Sequence, residues 1–160
     1  MANTYSQIYI QIVFAVRNRA CLISPAWEIE LYKYITGIVS EKGQKLLAIN
    51  GMPDHIHIFI GMKPSCCLSE LVREIKKAST AFIMENGYTK KAFNWQEGFG
   101  AFSYSQSSML NVVNYILNQK EHHRTKSFRS EYLEFLNTYA VEYKNEYLFE
   151  WIEWEEGEEN

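Results

Sequence analysis

Hydrophobic and polar residues alternate along two segments of the chain, and this period of two predicts β-strands. In the first segment, from about Tyr5 to Val16, apolar residues occupy every second position from Ile8 onwards. The second segment reads His55-Ile56-His57-Ile58-Phe59-Ile60. Because successive side chains of a strand point to opposite faces, its isoleucines share one face, and His55 and His57 share the other about 7 Å apart. One face therefore suits a hydrophobic core, and the other can carry chemistry.

The segments around these strands repeat their apolar residues with the period of a helix or carry turn signals. Ser24 before Pro25 predicts a helix start, and Gly43 and Gly87 predict two helix ends. The predicted elements after the first strand are a helix at 24–42, a hairpin of strands at 45–50 and 55–62, a helix at 68–86 and a strand near 101–105.

This order of elements, βαββαβ, is that of the α+β ferredoxin-like (RRM-like) fold, an antiparallel sheet with both helices on one face. The other face is then expected to be uncovered. It would display the residues that alternate with the apolar ones, namely Tyr9, Gln11, His55, His57 and Phe59.

A further amphipathic helix is predicted after Ser108, over the segment Asn111–His123. At about 100° per residue its valines and isoleucine form one arc, and Tyr115 lies on the opposite, polar arc. Tyr115 and Gln119 are four residues apart, so a phenol and an amide oxygen point into the same space. A helix at 127–137 and an aromatic segment at 139–154 follow, with Tyr143, Tyr147, Phe149, Trp151 and Trp154 expected mainly to pack.

The composition indicates a single domain over residues 1–160, with a C-terminal extension from about 128, because 160 residues that are 47% hydrophobic can bury one core. The sequence has no run of about 18 apolar residues and no signal-peptide pattern, so we expect a cytoplasmic protein without a membrane span. Its three cysteines, two of them adjacent, fit reduced thiols best.

The net charge of −3 conceals an uneven distribution of charge along the chain. Six of the 19 acidic residues lie in the last eleven positions, so the first 149 residues carry 16 basic and 13 acidic side chains, a net charge of +3. Arg17 and Arg19 follow the first strand, and Arg73, Lys76 and Lys77 are spaced to share one helix face. Clusters of this kind are candidate contacts for DNA phosphates, although charge runs also simply solvate a surface.

Four segments together resemble the single-tyrosine HUH transposases, which move insertion sequences as single-stranded DNA, and their relatives associated with repetitive palindromic elements. They occur in the family's order, cover roughly residues 5–128, and read YIQIVFAVRNR from position 9, MPDHIH from 52, FNWQEGFGAFS from 93 and YILNQ from 115. The resemblance implies that His55, His57 and Gln119 hold a divalent metal and that Tyr115 is the nucleophile.

The resemblance also implies a reaction and partners. Tyr115 would attack the scissile phosphate, leaving a 5′-phosphotyrosine and a free 3′-OH, and strand transfer to another 3′-OH would follow. The substrate would be single-stranded DNA with hairpins at the element ends, and the protein would be a homodimer. The metal would be Mg²⁺ or Mn²⁺, and on chemical grounds the histidines favour Mn²⁺ or a later metal over Mg²⁺.

Two other functions remain open from the sequence. One is an RRM-like nucleic-acid-binding module without catalysis, in which exposed Tyr9 and Phe59 stack on bases, although the basic and aromatic signature of such modules is missing. The other is a zinc-dependent hydrolase in which His55 and His57 are joined by His122 or His123. Only Asp54 or Glu121 would be at hand as its carboxylate base.

Overall fold

The computed structural model describes residues 3–153, so Trp154 and most of the acidic end lie outside the described residues. Four antiparallel strands form one sheet in the order β2-β3-β1-β4, with bounds β1 (Tyr9–Ala15), β2 (Lys45–Met52), β3 (His55–Gly61) and β4 (Gly100–Tyr104). The two central strands pair so that Val13 lies opposite His57 and Ala15 opposite His55. The predicted α+β ferredoxin-like fold is confirmed.

Two helices, α1 (Glu28–Glu41) and α2 (Leu68–Glu85), supply apolar side chains to the main core, together with the isoleucines of β1 and β3. The prediction of Ser24 as the N-cap of α1 was three residues early, because Trp27 is the N-cap and the helix begins at Glu28. Ser24 caps a separate turn, in which its hydroxyl accepts from the Ala26 N–H at 3.2 Å and its carbonyl accepts from the Glu28 N–H at 3.0 Å. The first strand likewise begins at Tyr9 and not at Tyr5.

The opposite sheet face is covered by three further helices, α3 (Met109–Leu117), α4 (Gln119–His122) and α5 (Phe128–Thr138). Phe59 packs with Val112 and Ile116 of α3 in a small second core. The prediction of an uncovered face was wrong, because the apolar arc of α3 needs a partner and Phe59 supplies it. Phe59 is fully buried and is not available to stack on a base, as the RRM-like alternative requires.

Within the C-terminal extension, the segment that follows α5 folds back onto this helix. Phe149 and Trp151 contact the ring of Phe128 at centroid distances of 5.9 and 5.4 Å, which confirms that these two aromatics pack. The same expectation was wrong for Tyr143 and Tyr147, which are exposed. Between residues 3 and 153, no helix is both long and apolar enough to cross a membrane.

Candidate metal and tyrosine site

Strand β3 places His55 and His57 side by side on the face covered by the later helices. Their rings lie 5.1 Å apart between centroids, and both side chains are fully buried. The alternation of the strand sets this arrangement, since Ile56 between them points to the other face. The predicted pair of histidines on one face is therefore present, inside the protein and not on an open surface.

Each of these histidines is held through its Nδ1 atom. His55 Nδ1 lies 2.7 Å from Asp54 Oδ1, and His57 Nδ1 lies 2.7 Å from Gln11 Oε1. Gln11 presents its oxygen to His57 because its amide nitrogen donates to the Tyr104 hydroxyl at 2.8 Å. An acceptor at Nδ1 keeps the proton on that atom and leaves Nε2 for another partner, the arrangement found in metal-binding histidines.

Gln119 reaches the same place through a break in the helix. The prediction of one continuous helix over Asn111–His123 was wrong. Helix α3 ends at Leu117 and α4 begins at Gln119, and Asn118 between them has φ −96° and ψ 18°. The fully buried Gln119 side chain places its Oε1 atom 3.2 Å from His55 Nε2. Gln119 thus lies beside the histidines, and its role as a metal ligand stays a prediction.

Glu131 of α5 is the site residue that the sequence analysis missed. Its Oε1 atom lies 2.9 Å from His57 Nε2 and 3.3 Å from His55 Nε2, and Gln119 Nε2 donates to its Oε2 atom at 3.0 Å. Ligand atoms of His55, His57 and Glu131 all lie within 4.8 Å of one another, so the three side chains could hold a divalent metal. A signal was present in the sequence, since Glu131 occupies a helical position between Phe128 and Phe135 that an apolar residue would normally fill.

Tyr115 joins this group through its hydroxyl, which donates to Glu131 Oε2. Burial, followed by the charge of the Glu131 carboxylate, raises the pKa of Tyr115 above its ordinary value. The phenol is therefore protonated at neutral pH, and any attack by its oxygen requires a proton acceptor. A cavity of about 210 Å³ lined in part by Tyr115, Glu131 and Phe135 lies against the phenol.

The charges around Glu131 favour a cation at this place. Burial would raise the pKa of Glu131, yet the charge of His57 and the hydrogen bonds of the surrounding histidines hold it well below its ordinary value. Burial would lower the pKa of His55, but the Asp54 and Glu131 carboxylates outweigh that effect and raise it to about 9. Burial lowers the pKa of His57. A proton on His55 thus supplies positive charge that the carboxylates attract.

The donor set also fits a metal ion. Facing one another are the Nε2 atoms of His55 and His57, Gln119 Oε1 and Glu131 Oε1. The two oxygens can only accept, and each Nε2 atom accepts as well unless it gains a second proton. A divalent cation would satisfy all four atoms together, whereas protons would have to charge both buried rings.

The predicted DNA contacts lie in two places. Arg17 and Arg19 are exposed just after β1, where Arg19 donates to the carbonyl of Glu153 in the C-terminal extension. Arg73 and Lys77 are exposed on α2. Whether these residues bind DNA stays a prediction.

Lys76 differs from its two neighbours on α2. Its ammonium donates to the carbonyls of Gln96 and Gly98 at 2.8 and 2.7 Å, and it lies 5.2 Å from the centre of the Phe14 ring. Burial lowers the pKa of Lys76 to about 8. Lys76 therefore holds the loop that precedes β4, in addition to any contact it makes with DNA. Phe14 belongs to the apolar face of the sheet, so this cluster lies on the side opposite Tyr115.

Comparisons with known proteins agree with this architecture. The chain is similar to a crystal structure from Deinococcus radiodurans R1, described as a "putative transposase", with 19% identity and a TM-score of 0.60 over 74% of this chain and 95% of that one. It is also similar to the REP-associated tyrosine transposase bound to a REP hairpin, with 21% identity and a TM-score of 0.57 over 77% of this chain and 73% of that one. A search of curated proteins gives no match.

At these identities the two structures show a shared fold. The sequence itself gives the stronger evidence, because residues 4–119 match the family described as "Transposase IS200 like". That match spans well over half of the 160 residues. The chain therefore belongs to the IS200-like transposase family.

Proposed function

We propose that this protein is a metal-dependent single-stranded DNA transposase in which Tyr115 attacks the scissile phosphate. One observation carries the proposal: the Tyr115 hydroxyl donates to one oxygen of Glu131, and the other oxygen lies 2.9 Å from His57 Nε2. The nucleophile, a proton acceptor and the metal-binding histidines thus form one connected network. A merely structural tyrosine would not need a buried carboxylate that is shared with two histidines.

In this proposal His55, His57 and Glu131 hold a divalent metal, together with Gln119. A bound ion of this kind would polarise the scissile phosphate and offset negative charge on the leaving 3′ oxygen. The imidazoles favour Mn²⁺ over Mg²⁺. Asp54 and Gln11 orient the two rings through their Nδ1 atoms.

The chain's own groups supply the proton transfers. Glu131 Oε2 is in contact with the Tyr115 hydroxyl and would accept its proton as the phenol oxygen attacks phosphorus. The new bond joins the Tyr115 oxygen to the phosphorus and the bond from phosphorus to the 3′ oxygen breaks. The 3′ oxygen leaves and takes up a proton, which Glu131 can return after it has accepted the proton of Tyr115. Attack by a second 3′-OH on the 5′-phosphotyrosine reverses these steps, so rejoining conserves the bond energy and needs no ATP.

The substrate class rests on the family and on one structural neighbour. That neighbour is a tyrosine transposase bound to a REP hairpin. We propose that the substrate of this chain is likewise single-stranded DNA that forms hairpins. Arg17, Arg19, Arg73, Lys76 and Lys77 are the proposed phosphate contacts. A homodimer stays a prediction. Within one chain, Glu131 contacts both the Tyr115 hydroxyl and His57. This arrangement would allow cleavage in cis, with the tyrosine and the histidines of the same subunit.

The test is covalent capture of DNA. Wild-type protein and Tyr115→Phe are incubated with hairpin-bearing single-stranded oligonucleotides and Mn²⁺, and the products are separated on denaturing gels. We expect a protein–DNA band for the wild type and none for Tyr115→Phe, because the attacking oxygen is gone while the ring remains.

Tyr147→Phe is the matched control, since the side chain of Tyr147 is 80% exposed. This variant should form the covalent band at the wild-type rate. A covalent band from Tyr115→Phe would show that another tyrosine is the nucleophile and would refute the assignment of Tyr115. Cleavage without any covalent band would instead indicate a hydrolase that activates water.

A further inference from the structure

The geometry points to His123 as a third imidazole ligand of the same centre, an inference that rests on the proposed metal-dependent function. His123 follows α4 and is 3% exposed. Its Nε2 atom lies 3.3 Å from Glu131 Oε1 and 3.1 Å from Gln119 Oε1. Its ring packs against that of His55 with 4.8 Å between centroids. Three Nε2 atoms therefore surround one carboxylate oxygen.

The orientation of the His123 ring supports the role of a ligand. Its Nδ1 atom lies 2.6 Å from the backbone carbonyl of Lys126, which can only accept a hydrogen bond. Nδ1 therefore carries a proton, and Nε2 is the ring atom that faces the shared centre, where it can bind a metal in place of the proton that it donates to Glu131. His55 and His57 are fixed in the same way by Asp54 and Gln11. All three rings thus show the supporting contact that orients histidines toward metals.

The neighbouring histidine, His122, does not share the orientation of His123. His122 is half-buried, and its ring packs against that of Tyr115 with 4.3 Å between centroids. The turn after α4 explains the difference, since the His123 N–H donates to the Gln119 carbonyl at 3.1 Å and the chain then returns so that Lys126 meets Nδ1. Of the two histidines that the sequence left open as partners of His55 and His57, the structure brings only His123 to them.

A third imidazole changes which metals the site would select. Three neutral nitrogens and one carboxylate suit Mn²⁺, Fe²⁺, Co²⁺ or Zn²⁺, whereas Mg²⁺ prefers oxygen ligands and retains its waters. The inference therefore makes Co²⁺ a usable probe. It also predicts that the selectivity for Co²⁺ over Mg²⁺ depends on His123.

The first experiment compares metal affinities by calorimetry, without DNA and without any measure of cleavage. Wild type, His123→Ala and His122→Ala are titrated with Co²⁺ and with Mg²⁺. Loss of a group that only supports a ligand already costs about 10–100-fold in metal affinity, so we expect His123→Ala to lose at least about tenfold in Co²⁺ affinity, with a smaller change for Mg²⁺. His122→Ala should bind both metals as the wild type does, and equal Co²⁺ affinity in His123→Ala and wild type would overturn the inference.

A second measurement uses the wild type alone and does not depend on the folding of a variant. Proton NMR of the Co²⁺-loaded protein counts the strongly shifted Nδ1–H signals of coordinated imidazoles. The three Nδ1 atoms of His55, His57 and His123 are buried and hydrogen-bonded, so we expect their protons to exchange slowly enough to be seen. Three such signals support the inference, and two signals refute it.

A last variant separates failure of this inference from failure of the proposed function. His57→Ala should bind Co²⁺ far more weakly than the wild type. If it does, while the spectrum shows two signals and His123→Ala binds normally, only the third ligand is wrong. If His57→Ala binds as the wild type does, or the wild type does not bind Co²⁺, the metal-dependent function itself fails.

Discussion

The two faces of the central sheet are buried to the same degree and yet are built on different principles. On one face Ile56 and Ile58 are fully buried within the main core. On the other face, His55 and His57 from the same strand are also fully buried. Removal of apolar surface from water stabilises the first face by roughly 25 cal/mol per Å². On the second face, each buried polar atom needs a hydrogen-bond or metal partner, because burial without one destabilises the folded protein. Burial alone therefore does not identify a core; the type of partner does.

The largest expected effect on stability is on the apolar face. Ile58→Ala should lower the free energy of unfolding by about 2–5 kcal/mol, because a buried branched side chain is replaced by a cavity. Urea denaturation followed by circular dichroism measures the change. Ile29→Ala, at a position that is 55% exposed, should change it by less than about 0.5 kcal/mol. If Ile58→Ala costs no more than Ile29→Ala, the apolar face is not the main source of stability.

On the polar face, Glu131→Gln should affect metal binding more than stability. The amide keeps the shape of the side chain and removes its charge, so we expect Mn²⁺ affinity to fall by at least roughly tenfold while the protein remains folded. Calorimetry measures the affinity. Glu134→Gln is the control, since Glu134 lies one turn further along α5 and pairs with the exposed side chain of Lys126. Equal Mn²⁺ affinity in Glu131→Gln and wild type would remove Glu131 from the set of ligands.

A charged group on the apolar side offers a smaller and pH-dependent test. Lys76→Met should destabilise the protein by about 1–2 kcal/mol at neutral pH, because the carbonyls of Gln96 and Gly98 lose their donor. The folded-state pKa of Lys76, about 8, is below the ordinary 10.5, so the unfolded chain binds more protons between these values. The stability of the wild type relative to Lys76→Met should therefore rise as the pH increases from about 8 to 10.5. Urea denaturation of both proteins across that range measures the difference, and a constant difference would contradict the lowered pKa.

The smallest expected effect concerns Lys77, which is exposed on α2, on the side of the sheet opposite Tyr115. If Lys77 contacts a phosphate, Lys77→Ala should weaken hairpin binding equally for all sequences and reduce the dependence of log affinity on log salt by about one unit. It should leave the cleavage rate at saturating DNA unchanged. Fluorescence anisotropy at several salt concentrations measures the affinity and its salt dependence, and denaturing gels measure the cleavage rate. An unchanged salt dependence would show that this face does not contact DNA.

The sequence predicted one half of the site well because the signal there is local. Alternation along a strand fixes that His55 and His57 share a face, and the four-residue spacing correctly placed Gln119 and Tyr115 near each other despite the break at Asn118. Glu131 was missed because its position depends on where α5 docks, 74 residues after His57 in the chain. Periodicity within a helix says which face is apolar, and it does not say which surface that face will meet.

The covering of the polar face was missed for a related reason. The order βαββαβ predicts helices on one face and contains no information about elements beyond the last strand. The apolar arc of α3 was visible in the sequence, and its partner Phe59 was assigned instead to an open surface. An amphipathic helix without an assigned partner, next to a sheet face without a cover, was the clue that the two belong together.

The position of Glu131 after the sheet and α4 in chain order has a consequence for protein synthesis. A nascent chain that has emerged only as far as α4 contains the sheet, both β3 histidines and Tyr115, and lacks the carboxylate that connects them. The network closes only when α5 has been translated and has docked. Under the proposed mechanism, a polypeptide that stops before α5 would be unable to cut DNA by this route, because it lacks the carboxylate that contacts the Tyr115 hydroxyl.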